Sequence, residues 1–243
     1  TMNYMIFVDG SADVDLQAVG EENIKFIPME YSLAGEMRVC DTMQDRQTLK
    51  DFYNGQRRGD LTKTTQISPY MYEEFFGPYM EKGISVLYLA LSSGLSSTYN
   101  SALMARENLK EKYPNAEFVP VDSLGGTGGI GVLAERALRN RQKGMTIAEN
   151  RADLVKAAKK IKHWFLVQDL NYLKRGGRVS ATTAFVGSAL NIKPILKIGE
   201  DGKLITFAKK RGNNAAAAEL VEKFKESYDE SGDDVIYIVA ADD

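Results

Sequence analysis

The sequence predicts an α/β fold in two subdomains: a mainly parallel sheet flanked by helices, plus a smaller α/β part containing a hairpin. Three observations predict it. Short β-rich runs alternate with helical patterns along the first part of the chain, as in parallel strands joined by crossover helices. "ISVLYLAL" (84–91) is an unbroken apolar run, as in a strand buried on both faces. Beyond residue 155 the alternation gives way to a strand, a short helix and a hairpin, which sets the expected subdomains at 1–155 and 156–243.

In order, "YMIFV" (4–8) reads as the first strand and "IKFIPMEYS" (24–32) as the second, with Asp13 placed to cap a helix through "LQAVGEE" between them. "LAGEMRV" (33–39) carries a Gly-centred turn that folds the second strand back as a hairpin, and a helix follows over 45–57. Ser68-Pro69 supplies a hydroxyl cap and a proline at the first helical position; the helix after it is expected to bend or break at Gly77-Pro78. After the strand 84–91 come a helix from Ser97 to Lys112, the strand "AEFVPV" (116–121) and a helix after the glycines. Thr146 and Glu149 form a capping box for a helix over 147–162. The second part reads as a strand "HWFLVQ" (163–168), a short helix closed by glycine and a hairpin over 194–210 turning at Asp201-Gly202. A helix over 214–228 and a strand "VIYIVAA" (235–241) end it.

Composition narrows the chemistry. A net charge of −2 over 243 residues argues against nucleic acid or an anionic membrane as partner, and no apolar run reaches membrane-spanning length. The single cysteine, Cys40, excludes an internal disulfide and a multi-cysteine metal site; the single histidine is His163. A cytoplasmic protein is expected.

Polar chemistry gathers after the strands, where α/β sheets bind ligands. Asp9-Gly10-Ser11, Ser92 to Ser97 and Asp122-Ser123 follow three strands, and Thr64-Thr65 precedes the helix capped by Ser68. This set is rich in hydroxyls and poor in bases. A serine nucleophile needs a base in reach, and His163 opens a strand, which sets it at the end opposite the hydroxyl loops if that strand is parallel. Asp9, Asp13 and Asp15 lack the further ligands of a calcium loop and read as helix caps. Hydroxyls and free N–H groups at a helix start suit an anion instead, and "SSGLSS" offers both.

"VDSLGGTGGIG" (121–131) matches a dinucleotide-binding loop at Gly126, Gly128 and Gly131. Such a loop belongs to the first βαβ unit, with an acidic residue about 20 positions on at a strand end. Here it sits mid-chain, and Glu149 falls inside a helix. Tight turning and close packing are the preferred role of these glycines; a nucleotide-dependent enzyme using the Gly126–Gly131 loop is the alternative.

Six blocks occur in order: "VDGSADV" (8–14), "KTTQISP" (63–69), "LSSGLSSTYNSA" (91–102), "VDSLGGTGGIG" (121–131), "DLNYLKRGGRVS" (169–180) and "NIKPILKIGEDGKL" (191–204). Together they resemble the DegV family, the FakB-type fatty-acid-binding proteins of bacteria, over essentially the whole chain. The resemblance implies a carrier without cofactor or catalysis of its own. It would enclose one long-chain fatty acid, with the carboxylate held by hydroxyls and the tail in an apolar tunnel. Such a carrier presents the acid to a separate fatty acid kinase, which makes an acyl phosphate for phospholipid synthesis. The family's T-S-Q-P block falls on Thr64 and Thr65, and the second serine of its S-S-G block on Ser93. Thr64 and Ser93 are thereby the expected carboxylate ligands, with Thr65 and Ser92 beside them. Arg178 in "RGGR" matches a family arginine that faces the kinase or the acyl phosphate, a surface salt bridge being the other reading. Three departures stand out. Gly10 follows Asp9 where a hydroxyl residue is common, and Ile67 replaces a proline. The family continues past a strand matching "VAADD" (239–243) into a segment carrying a histidine, so the C-terminal subdomain is expected to be incomplete and that histidine has no counterpart here.

Overall fold

The computed structural model describes residues 4–40, 46–180, 191–229 and 235–241. The chain divides into two compact units: Thr1–Lys160 with Tyr237–Asp243, and Ile161–Ile236. The division falls a few residues beyond the expected 155, and the C-terminal stretch packs with the first unit rather than the second.

The first unit begins with β1 (Tyr4–Asp9), the short α1 (Leu16–Val19) and β2 (Ile24–Ile27). Asp15, not Asp13, caps α1 by accepting from the Gln17 and Ala18 amides. The run 24–32, expected as one strand, is two. Pro28 cannot donate to a ladder, so β2 ends at Ile27 and β3 (Met29–Leu33) enters a different sheet. β3 turns through Ala34 and Gly35, both left-handed at φ 53° and 86°, into β4 (Glu36–Cys40), as a two-residue hairpin turn requires. Then follow α2 (Arg46–Arg58), β5 (Thr62–Thr64) and α3 (Pro69–Glu81), the last capped by Ser68, which accepts from the Met71 amide. No break occurs at Gly77-Pro78: α3 runs through Pro78, whose ring faces solvent while Phe76, Gly77 and Met80 anchor the helix to the core.

β6 (Ser85–Ala90), α4 (Thr98–Lys112), β7 (Phe118–Asp122), α5 (Gly128–Gln142) and α6 (Ile147–Ala158) complete the unit. The Thr146–Glu149 capping box forms as the sequence predicts, but α6 ends at Ala158, four residues short of the expected end. β2, β1, β6 and β7 lie side by side in that order, all parallel, so their carboxyl ends share one edge. β4, β3 and β5 form a separate antiparallel sheet.

Two-residue periodicity sorts the parallel strands' side chains between two helical layers. Phe7, Tyr88 and Phe118 pack with Tyr72, Phe76 and Met80 of α3 and with Ala102, Ala105 and Leu109 of α4 in one buried cluster. On the other face α5 and α6 pack on the sheet, burying Ile130, Leu133, Ala134, Ala137 and Leu154. Burying an aliphatic side chain of this size contributes about 1.5–3 kcal/mol.

The second unit contains β8 (Trp164–Leu166), α7 (Asn171–Arg175), the hairpin β9 (Ile192–Ile198) and β10 (Leu204–Arg211), and α8 (Asn213–Ser227). Its sheet is antiparallel in the order β10-β9-β8, and Gly202 supplies a left-handed residue at φ 73° in the hairpin turn, as expected. Leu170 and Leu196 centre a small core with Phe165, Leu173 and Leu204. The expected strand over 235–241 does not form. These residues pair with no strand among the described residues, and Ile238 is 92 % exposed. Residue 45 of the expected α2 helix, and Asp242 and Asp243 of the "VAADD" block, lie outside the described residues.

Candidate functional site

In open parallel sheets a ligand crevice opens at the carboxyl edge where neighbouring strands send their connections to opposite sides. By chain order the four parallel strands run 2-1-3-4, which puts this switch point between β1 and β6. The residues there are Asp9, the last of β1, and Leu91 to Ser93, which follow β6.

Asp9 is fully buried and its carboxylate is held by four donors. Oδ2 accepts from the Tyr88 hydroxyl at 2.7 Å and the Leu91 amide at 2.9 Å; Oδ1 accepts from the Ser11 amide at 3.0 Å and from the Ser11 hydroxyl. Behind it the Tyr72 hydroxyl donates to that of Tyr88 at 2.9 Å, and burial pushes both phenols well above their ordinary pKa. Asp9 is thus a structural acceptor, neither the helix cap read from sequence nor a free base.

The serine loop is equally committed. The Ser92 amide donates to Gly125 O at 2.9 Å and the Ser93 amide to Asp122 Oδ1 at 3.1 Å. The Gly94 amide donates to the buried Ser92 hydroxyl at 3.1 Å, and the Leu95 and Ser96 amides both turn back to Ser92 O. Ser97 makes no side-chain cap on α4; Ser96 takes that role, its hydroxyl accepting from the Thr98 amide at 3.2 Å. The sequence pointed to backbone N–H groups here as anion donors. The fold spends those from Leu91 to Ser96 on its own acceptors, because the chain must turn sharply to enter α4. The exposed Ser93 hydroxyl has no hydrogen-bond partner among the described residues.

Thr64 and Thr65 are placed by the separate antiparallel sheet. β5 runs antiparallel to β3, so Thr64 pairs with Tyr31 and the Thr65 amide donates to Glu30 O at 3.0 Å. Two residues later Ile67 enters the buried cluster with Ile27 and Ala90, the last residues of β2 and β6. Both threonines are exposed, and their hydroxyls also have no partner among the described residues. Thr64 and Thr65 thus lie beside the chain that leaves β2, Ser92 and Ser93 follow β6, and Ser92 is turned into its own loop. Arg178 lies in the second unit, exposed, in the turn after α7, where its guanidinium donates to Gly176 O.

The glycine loop is explained by packing. A Cβ on Gly131 would lie 2.1 Å from Asp13 O, and one on Gly128 would lie 2.9 Å from Tyr237 Cβ. The Thr127 amide donates to Ser11 O at 3.0 Å and the Asp13 amide to Thr127 O at 3.1 Å, stitching the loops after β1 and β7 together. Tyr237, Val239 and the loop after β1 pack against Gly128 and Gly131 at the start of α5, so these two glycines serve close packing.

His163 belongs to the second unit, where burial lowers its pKa to about 4 and Nε2 has no partner among the described residues. Among the described residues no group of three or more His, Cys, Asp or Glu could hold a metal ion, and no helix is long and apolar enough to cross a membrane. Asp122 is among the polar residues the sequence sets at this rim, whereas Tyr88, which holds Asp9, is not. The available signal for it was a tyrosine interrupting an otherwise apolar strand.

The family described as "Uncharacterised protein, DegV family" matches residues 3–243. A DegV domain-containing protein of Clostridium perfringens is 36 % identical over 239 residues, covering 98 % of this chain and 82 % of that one. A protein of Thermotoga maritima named a fatty acid-binding protein is 34 % identical over 229 residues, covering 93 % and 77 %. Among solved structures, the fatty acid kinase B3 protein of Streptococcus pneumoniae, loaded with linoleic acid, has the same fold: TM-score 0.82 at 22 % identity, covering 93 % of this chain and 79 % of that one. With a family match along nearly its whole length and relatives of 34–36 % identity, the chain belongs to the DegV family.

Proposed function

We propose that this protein binds one long-chain fatty acid and presents it to a separate fatty acid kinase for acyl phosphate formation, feeding phospholipid synthesis. The carboxylate lies against the hydroxyls of Thr64, Thr65 and Ser93, the Ser92 hydroxyl holds the loop in shape, and the acyl tail runs into an apolar tunnel. One observation carries the reading: the exposed hydroxyls of Thr64, Thr65 and Ser93 have no partner among the described residues, and the Asp9 carboxylate next to the serine loop is already held by four donors. That set can bind a carboxylate but cannot activate a serine. The fatty acid named for the Thermotoga relative and the kinase named for the Streptococcus one support the ligand and the partner. Arg178 is proposed to meet the kinase or the acyl phosphate. No cofactor enters this scheme, and the protein itself performs no chemistry.

Solvent extraction of the purified protein followed by mass spectrometry tests the ligand. A fatty acid near one equivalent, native or after incubation with oleate, is expected; its persistent absence overturns the reading. Ser93→Ala and Thr64→Ala should each weaken oleate binding about tenfold, since a hydrogen bond to a charged group contributes about 1.5–3 kcal/mol. A pull-down with the purified protein as bait should recover the kinase.

A further inference from the structure

Three successive amides at the end of β6 are held from both sides. Leu91 donates to Asp9 Oδ2 at 2.9 Å, Ser92 to Gly125 O at 2.9 Å and Ser93 to Asp122 Oδ1 at 3.1 Å. Asp9 ends β1 and Asp122 ends β7, the two strands that flank β6. Each carboxylate is fixed in turn, Asp9 by Tyr88 and Ser11, and Asp122 by the Leu124 amide at 3.0 Å. Leu124 adopts a left-handed φ of 50° so that its N–H shares Oδ1 with that of Ser93.

We propose that Asp122 and Asp9 are positioning residues for the Ser93 hydroxyl, a pair of carboxylates that clamp its backbone from the neighbouring strands and so set the donor that meets the ligand's carboxylate. The proposal rests on the fatty-acid reading of this loop. Its physical content is twofold. A serine on an exposed turn would sample several backbone states, and fixing its amide removes that freedom before a ligand arrives. Binding the amides to Asp9 and Asp122 also satisfies those two carboxylates internally, while the Ser93 hydroxyl has no partner among the described residues. Of the two, Asp122 acts on Ser93 directly, whereas Asp9 acts through Leu91 and is fully buried.

A double-mutant cycle on the full chain tests this, with oleate as the probe in a displacement titration. Asp122→Ala should weaken oleate binding about tenfold when Ser93 is present and less than twofold in a Ser93→Ala background, because contacting pairs couple. Asp122→Asn, which keeps the acceptor oxygen, should stay within about threefold of the parent. Equal losses in both backgrounds, or no loss in either, overturn the proposal while leaving the fatty-acid reading intact. An unliganded parent that binds no oleate overturns both. Should Asp122→Ala fail to fold, amide exchange of the parent decides: the Ser93 N–H is expected to be protected although the residue is exposed, and exchange at the open-chain rate overturns the clamp.

Discussion

The Tyr88 hydroxyl donates to the Asp9 carboxylate at 2.7 Å, and neither side chain is reached by solvent. A buried carboxylate is tolerated only when its lone pairs are satisfied, and here the fourth donor of the set comes from the middle of the neighbouring strand. Tyr88→Phe removes that donor and leaves the ring in place. It should destabilise the protein by about 1.5–3 kcal/mol, as for a hydrogen bond to a charged group. Urea denaturation measures it; a change below about 0.5 kcal/mol would mean that the backbone and Ser11 alone suffice.

Gly131 and Gly126 belong to one glycine pattern but face different neighbours. A methyl on Gly131 meets backbone at 2.1 Å, whereas one on Gly126 meets only the Leu91 side chain at 3.3 Å. Gly131→Ala should therefore abolish folding or shift it by more than about 3 kcal/mol, and Gly126→Ala by less than about 1.5 kcal/mol. Thermal unfolding of the two variants, without any nucleotide, checks the difference.

Pro78 sits exposed inside α3, where it has no N–H to give to the carbonyl four residues back. Pro78→Ala restores that bond at the expense of a freer unfolded chain, a term of about 0.4–1 kcal/mol. A net gain of about 1–2 kcal/mol in unfolding free energy is expected, set against the roughly 3 kcal/mol by which an interior proline weakens a helix.

His163 is the chain's single histidine, and burial lowers its pKa from 6.5 to about 4. The unfolded chain takes up a proton near pH 6.5 while the folded chain refuses it until near pH 4. Stability is then complete above pH 6.5 and falls through that window, by up to about 3 kcal/mol. His163→Phe should flatten the fall between pH 6.5 and 4.5; an unchanged profile would place the titration elsewhere.

The tail is expected to supply most of the affinity. Each buried methylene contributes about 0.8 kcal/mol, so shortening a saturated acid by two carbons should raise its Kd roughly tenfold. Calorimetry over an even-numbered series measures it, and a flat series would place the tail outside the protein.

Much of this was legible in the sequence because it depends on neighbours along the chain. The Ser68 cap with Pro69, the Thr146–Glu149 box, the Asp201-Gly202 turn and the doubly buried β6 are local patterns, and each forms as written. The polar residues that follow β1, β6 and β7 were visible too, because the ends of parallel strands share one edge. What the sequence could not decide depends on partners distant in the chain. Two strands arise from one β-rich run because Pro28 cannot join a ladder that β1 completes on one side only. Residues 235–241 have strand composition but pair with no described strand. Asp9 looked like a cap until the fold brought Tyr88, 79 residues away, against it. The amides after β6 looked free until Asp122 and Gly125 of β7 and its loop closed on them. Local propensity thus determined most of the elements of this protein and their caps and turns. Tertiary pairing decided which backbone donors are already taken, because a hydrogen bond is satisfied in space and not along the sequence.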